Sequence, residues 1–225
     1  MILPCYDPAT WGPSIDAAVH ALSRGEIVVL PTDTVYGVGA DAFQPDAVAR
    51  VLAAKGRGRQ MPPPVLIPDV RTVDGLARDV SAQARALMEA LWPGPLTVIV
   101  HAQPSLMWDL GETQGTVALR VPDHAAARAL LTRTGPLAVT SANLTGAPAA
   151  TTIEGAQSQL GAAVSVYLDS GESPLGLAST IVDATGDSLS VVRDGGISRE
   201  QLEAVVGADA FAPPAKDDGS SEASA

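Results

Sequence analysis

The sequence predicts an α/β protein built on a twisted, open, mixed sheet with flanking helices. Segments of helical period alternate with short apolar runs along most of the chain, and the connections between them are short. Near the C-terminal end two strand-like runs, Thr180 to Val182 and Leu189 to Val192, follow each other with no helix between, which argues against a purely parallel sheet. A length of 225 residues with 46% apolar residues suits one domain, expected over residues 1–210, with an acidic, disordered tail over 211–225.

Ile15, Ala18, Val19 and Leu22 fall on one helical face, with Ser14 placed to cap that helix and Gly25 to stop it. A strand is expected from Ile27 to Leu30, then a polar, Gly-containing loop from Pro31 to Gly39, then a helix near Pro45 to Lys55 with Val48, Val51 and Leu52 inward. Further apolar runs read as strands at Pro64 to Ile67, Leu96 to Val100, Thr116 to Val121, Leu137 to Thr140 and Val164 to Leu168. Helices fit at Ser81 to Leu91, Asp123 to Thr132, Ile153 to Leu160 and Ser198 to Val206. Two of these begin with the pattern of a capping box, Thr151 with Glu154 and Ser198 with Gln201. From Phe211 onward, Pro213, Pro214, Asp217, Asp218 and a Ser, Glu and Ala run lack apolar periodicity.

Charge narrows the function classes. The formal net charge is -11, from 14 basic and 25 acidic residues. Residues 216–225 carry one positive and three negative charges, so the body keeps about -9 (-11 + 2). Such a surface is a poor candidate for tight wrapping of a phosphate backbone. Cys5 is the one cysteine, which excludes an intrachain disulfide and the Cys-rich zinc spacings and fits a reducing cytoplasm. Met1 to Trp11 shows no basic region followed by an apolar one, and no window reaches the roughly 20 apolar residues of a membrane span. A soluble, cytoplasmic protein with no membrane partner is the expectation.

Two of the 14 basic residues are lysines, Lys55 and Lys216, which leaves 12 arginines. A chain that otherwise uses Arg keeps one Lys in its body, either because a compact three-donor ammonium is required there, which a planar guanidinium cannot imitate, or through codon drift.

In open α/β sheets ligands collect beyond strand ends, so polar residues just after apolar strands are the first candidates. Pro31-Thr32-Asp33-Thr34-Val35-Tyr36-Gly37-Val38-Gly39 follows a strand: its hydroxyls can bond a small ligand, its glycines admit close backbone approach, and it also reads as a tight turn. Lys55-Gly56-Arg57-Gly58-Arg59 gathers three cations at a helix end, which suits a phosphate chain and equally complements a helix C-terminus. It lacks the order of residues of a Walker A loop. Thr140-Ser141-Ala142-Asn143 sets small hydroxyl and amide groups at a strand end. Arg120 lies inside the apolar run Val117 to Val121, where it must face water or find an anionic partner, either an internal carboxylate or a substrate. Ser179-Thr180 precedes one strand and Arg193 ends another.

Taken in order, Leu-Pro-Thr-Asp-Thr-Val-Tyr-Gly-Val-Gly (30–39), Lys-Gly-Arg (55–57), Trp-Pro-Gly-Pro-Leu-Thr (92–97), Ala-Leu-Arg-Val-Pro (118–122), Ser-Ala-Asn (141–143), Ser-Thr-Ile-Val-Asp (179–183) and Val-Arg (192–193) resemble the YrdC/TsaC family of threonylcarbamoyl-AMP synthases. The likeness extends over residues 14–206. It implies a large concave pocket lined with positive charge, and the first step in making the threonylcarbamoyl-adenosine found beside certain tRNA anticodons. ATP, L-threonine and bicarbonate there give threonylcarbamoyl-AMP and pyrophosphate. Position by position, the resemblance implies that Lys55, Arg57, Ser141 and Asn143 hold the nucleotide phosphates, with Thr116 and Arg193 near the nucleotide. It puts Thr32, Arg120, Thr140 and Ser179 on the threonine side, Arg120 facing the amino-acid carboxylate.

The chain departs from the pattern where relatives have Pro and a second Lys after Lys-x-Arg; here stand Gly58, Arg59 and Met61. It also has Arg193-Asp194-Gly195 for Arg-Pro-Gly, and it resembles the short form without an extra C-terminal domain. Carbamate attack on the α-phosphorus needs positioning and charge neutralisation rather than a Cys or His nucleophile, so His20, His101 and His124 are assigned ordinary surface roles. Mg²⁺ is implied with the departing pyrophosphate, carried by substrate oxygens and waters, with no dedicated protein metal site and Asp33 as an outer-shell partner. Expected partners are the three substrates, downstream threonylcarbamoyl-transfer proteins and a weak tRNA contact. An RNA-binding module of the same fold, or a carbamoyl-transfer enzyme with another acceptor, as in hydrogenase maturation proteins, is the alternative.

Overall fold

A computed structural model describes residues 1–212. The chain begins with strand β1 (Ile2–Pro4) and helix α1 (Gly12–Ser23), then β2 (Val28–Leu30), β3 (Gly37–Asp41), α2 (Pro45–Ala54) and the two-residue β4 (Val65–Leu66). A short helix α3 (Val73–Leu76) leads through β5 (Ala77–Arg78) to α4 (Ala82–Leu91), followed by β6 (Leu96–Ala102), β7 (Thr116–Arg120), α5 (Ala125–Thr134) and β8 (Leu137–Ser141). The last elements are α6 (Ile153–Leu160), β9 (Val166–Asp169), β10 (Thr180–Asp183), β11 (Ser190–Arg193) and α7 (Arg199–Val206). The strands form one mixed sheet in the order β1-β9-β2-β3-β8-β4-β7-β6-β10-β11, with β5 added beside β6. β9 is parallel to β1 and β2, and β10 to β6, whereas β10 and β11 form an antiparallel pair.

Side-chain alternation along the strands builds the layers. In β2, Val28 and Leu30 meet α1 and α5, while Val29 meets the opposite layer of α2 and α6. β9 divides in the same way, with Val166 and Leu168 on one side and Tyr167 on the other. This half of the sheet is therefore covered on both faces, which explains its uninterrupted apolar runs. The other half is covered on one face: Leu96, Val98 and Val100 of β6 and Val117 and Leu119 of β7 pack with Leu87 and Met88 of α4 and Leu202 of α7. The residues between them, Thr97, Ile99, Thr116, Ala118 and Arg120, line a cavity. One alternating pattern thus serves the core and the site together.

Several local expectations need correction. Helix α1 starts at Gly12, with Pro13 in its first turn; Ser14 lies inside it and donates its hydroxyl to Pro4 O instead of capping. The second half of the expected 31–39 loop is strand β3, paired antiparallel with both β2 and β8. Its glycines hid it, and they are required there: a Cβ at Gly37 or Gly39 would lie 2.6 Å from a Val139 methyl. Helix α6 is capped by Thr152, whose hydroxyl accepts from Gly155 N, not by Thr151. The Ser198 and Gln201 capping box is present as expected. Phe211 belongs to the body: it is buried, bridges Leu189, and carries the Arg199 guanidinium 4.0 Å above its ring. The rest of the expected tail, 213–225, lies outside the described residues. Among the described residues no helix is long and apolar enough to cross a membrane.

Candidate functional site

The uncovered face of β4, β7, β6 and β10 forms the floor of a cavity of about 400 Å³, walled by the 32–37 segment, the 61–64 loop and the 139–141 strand end. Three guanidiniums line it, those of Arg57, Arg120 and Arg193, together with the hydroxyls of Thr32, Thr34, Thr97, Thr113, Thr116, Thr140, Ser141 and Ser179. Among the described residues no carboxylate does. Burial, and then the charge of Arg193, lowers the affinity of Arg57 for its proton; burial does the same to Arg193. Both remain cations, so the cavity holds positive charge that an anion would neutralise.

Each cation is held by its surroundings. Arg120 is buried, donating from Nε to Gly94 O, from Nη1 to Thr34 Oγ1 and from Nη2 to Asp33 Oδ1 at 2.5 Å. The internal carboxylate anticipated for it is therefore Asp33, which also accepts from Asp123 N. That commits Arg120 with three of its five N–H groups and leaves two for a ligand. The second oxygen of Asp33 is buried without a partner. Breaking this pair would strand a buried charge, at a cost of about 3–5 kcal/mol.

The bond of Thr32 to Val35 O fixes hydroxyl directions. Thr34 Oγ1 accepts from Arg120, and Thr32 Oγ1 donates to Val35 O, so the 2.9 Å bond between the two hydroxyls runs from Thr34 to Thr32. On the opposite wall Arg193 donates from Nε and Nη2 to Ser179 O and from Nη2 to Ser179 Oγ, which pairs with Thr97 Oγ1 at 2.8 Å. Gly195 lets the chain turn there: an added Cβ would come within 2.4 Å of the Ala178 and Ser179 backbone. Arg57 Nη1 donates to Thr140 Oγ1 at 2.8 Å, and Thr116 donates its hydroxyl to Thr113 O at the rim.

Of the ten residues singled out in the sequence, eight line the cavity: Thr32, Arg57, Thr116, Arg120, Thr140, Ser141, Ser179 and Arg193. Lys55 and Asn143 do not. They stand behind the wall, bonded to one another. Lining residues that escaped the sequence reading include Thr97 and Ile99, and their signal was available in the alternation of β6. Arg59, which the sequence offered in place of the missing lysine, is paired with Asp109 at 2.8 Å and faces a smaller groove beside α2. His20 is exposed, whereas His101 and His124 are half-buried, contrary to a plain surface role: His101 Nε2 lies 3.1 Å from Thr185 O, and burial lowers the His124 pKa. Among the described residues no group of three or more His, Cys, Asp or Glu is placed to hold a metal ion.

Compared with known proteins, the chain matches over residues 20–195 the Sua5, YciO and YrdC family model described as telomere recombination. A Mycobacterium tuberculosis protein is 50% identical over 206 residues, which are 92% of this chain and 95% of that one. The Bacillus subtilis threonylcarbamoyl-AMP synthase is 39% identical over 202 residues, 88% of this chain and 58% of the relative. Among solved structures, Pyrococcus abyssi Sua5 complexed with L-threonine superposes with a TM-score of 0.88 at 31% identity, covering 92% of this chain and 61% of that one. The chain thus spans about 60% of the length of these two longer relatives.

Proposed function

The chain belongs to the Sua5, YciO and YrdC family, and on that premise we propose that it is a nucleotidyltransferase making threonylcarbamoyl-AMP and pyrophosphate from ATP, L-threonine and bicarbonate. The observation that carries this reading is the cavity lining: three guanidiniums and a ring of hydroxyls, with no carboxylate among the described residues, on a scaffold shared with a protein crystallised with L-threonine. Such a lining suits a polyanion and an amino-acid carboxylate held side by side.

Arg57 and Arg193 take the phosphates, with Ser141 and Thr116 alongside, and the two free N–H groups of Arg120 take the threonine carboxylate, with Thr32, Thr140 and Ser179 around it. The threonine amine, having lost a proton, adds to CO2 derived from bicarbonate; a carbamate oxygen then forms a bond to the α-phosphorus as the bond to pyrophosphate breaks. What the protein supplies is alignment and neutralisation of charge in a confined space. Among the described residues no carboxylate lines the cavity, and Mg²⁺ enters as part of the ATP substrate, bound by phosphate oxygens. The cytoplasm, where tRNA is modified, is the matching location, and the product would pass to threonylcarbamoyl-transfer proteins.

Mass spectrometry of a reaction with purified protein, ATP, Mg²⁺, bicarbonate and L-threonine tests this. A threonylcarbamoyl-AMP mass that disappears when threonine, bicarbonate or ATP is omitted is expected. Turnover of ATP with another amino acid in preference to threonine would reject the substrate assignment.

A further inference from the structure

Lys55 is in the signature expected to grip phosphate, yet its ammonium is engaged elsewhere. It caps the C-terminal end of α2, is 3% exposed, and lies behind the cavity wall. Nζ donates to Ser141 O, to Asn143 O at 2.6 Å and to Asn143 Oδ1 at 3.3 Å, so its three N–H groups meet three protein oxygens. The oxygens belong to one turn, which is closed further by Asn143 N donating to Ser141 O and by Asn143 Nδ2 donating to Leu144 O and Ala147 O. The main chain adds a second tie, Thr145 N donating to Lys55 O.

Resting on the reading above, we propose that Lys55 is a positioning residue: its ammonium gathers the carbonyls of the 141–143 turn and thereby aims Ser141 at the phosphates, while Arg57 and Arg193 make the contacts. A compact ammonium satisfies three converging oxygens in a way that a planar guanidinium does not. This accounts for a lysine in a body whose other cations are all arginines. It also assigns Asn143 to the same task, since both its oxygens accept from Lys55 and both its amide hydrogens go to the backbone oxygens of Leu144 and Ala147.

Two experiments decide it. In the wild-type protein, acetic anhydride labelling followed by peptide mass spectrometry should leave Lys55 equally unreactive with and without ATP; protection that appears only on adding ATP would make it a phosphate ligand and overturn the proposal. This readout depends neither on turnover nor on the folding of a variant. In steady-state kinetics, Lys55→Met and Ser141→Ala are each expected to lower kcat/KM for ATP by at least about tenfold. The double variant should fall within about twofold of the worse single one, because both act through one wall. Lys55→Arg should recover no more activity than Lys55→Met. Multiplied losses in the double variant, or recovery with Arg, would overturn the proposal. A wild type that makes no threonylcarbamoyl-AMP would instead remove the functional reading, while the labelling result would still decide where the Lys55 ammonium is held.

Discussion

Burial first, and the charge of Arg57 second, push the Lys55 ammonium from its ordinary 10.5 down to about 8. Above that pH the amine keeps two hydrogens for three oxygens, so the turn is expected to loosen and kcat/KM for ATP to fall on the alkaline side with a midpoint near 8. Stability should move the other way. The folded pKa lies below the unfolded one, so between about 8 and 10.5 the unfolded state binds more protons and this group's contribution to stability rises with pH. Paired pH series of activity and urea midpoint check both signs, and an alkaline limb of the same midpoint in Lys55→Met would refute the assignment of that limb to Lys55. At this scale the sequence was informative about residue types and silent about partners. Arg120 inside an apolar strand left open an internal carboxylate or a substrate as its partner; Asp33 is 87 positions away, and only the sheet brings the two together. The cage around Lys55 was hidden for the same reason, since its acceptors are mostly backbone oxygens that every residue carries.

Between β3 and β8, glycine stands where a strand would ordinarily carry a side chain, and Val139 fills the room. Gly39→Ala is expected to lower the unfolding free energy by about 1–3 kcal/mol through overpacking, since the new Cβ would sit 2.6 Å from Val139 Cγ2. Adding Val139→Ala should return part of that loss, a coupling that a urea double-mutant cycle measures. Additive losses would show that the strands separate instead of sharing the space. Elements with strong period were legible in the sequence: α4, α6 and α7 lie within a residue of their expected ends, and so does β10. β3 was missed because Gly-Val-Gly in a loop and Gly-Val-Gly in a close strand pair are the same letters; the difference lies in β8, far along the chain.

The whole molecule segregates its charge, with a net -11 overall and a cavity lined by no carboxylate among the described residues. A small anion can reach the guanidiniums, whereas a long polyanion must also lie against an acidic exterior. Raising salt from about 0.05 to 0.5 M should weaken ATP binding only a few-fold, because partly buried charges are poorly screened. Any tRNA retention on a gel should vanish by about 0.2 M salt. Retention that persists there would favour the RNA-binding alternative over the small-molecule site.

The strands under the cavity give one face to the core and the other to the ligand, residue by residue. Ile99, Ala118 and Ile181 stand on the open face, while Val98, Val100, Val117, Leu119 and Val182 on the same strands lock the packed one. The two sets of positions can therefore change separately over generations: a larger or smaller residue at 99, 118 or 181 reshapes the chamber without entering the packing that keeps the protein folded. A scaffold of this kind is well suited to acquiring new acceptors for the same adenylating chemistry, and those three positions are where a designer seeking one would begin.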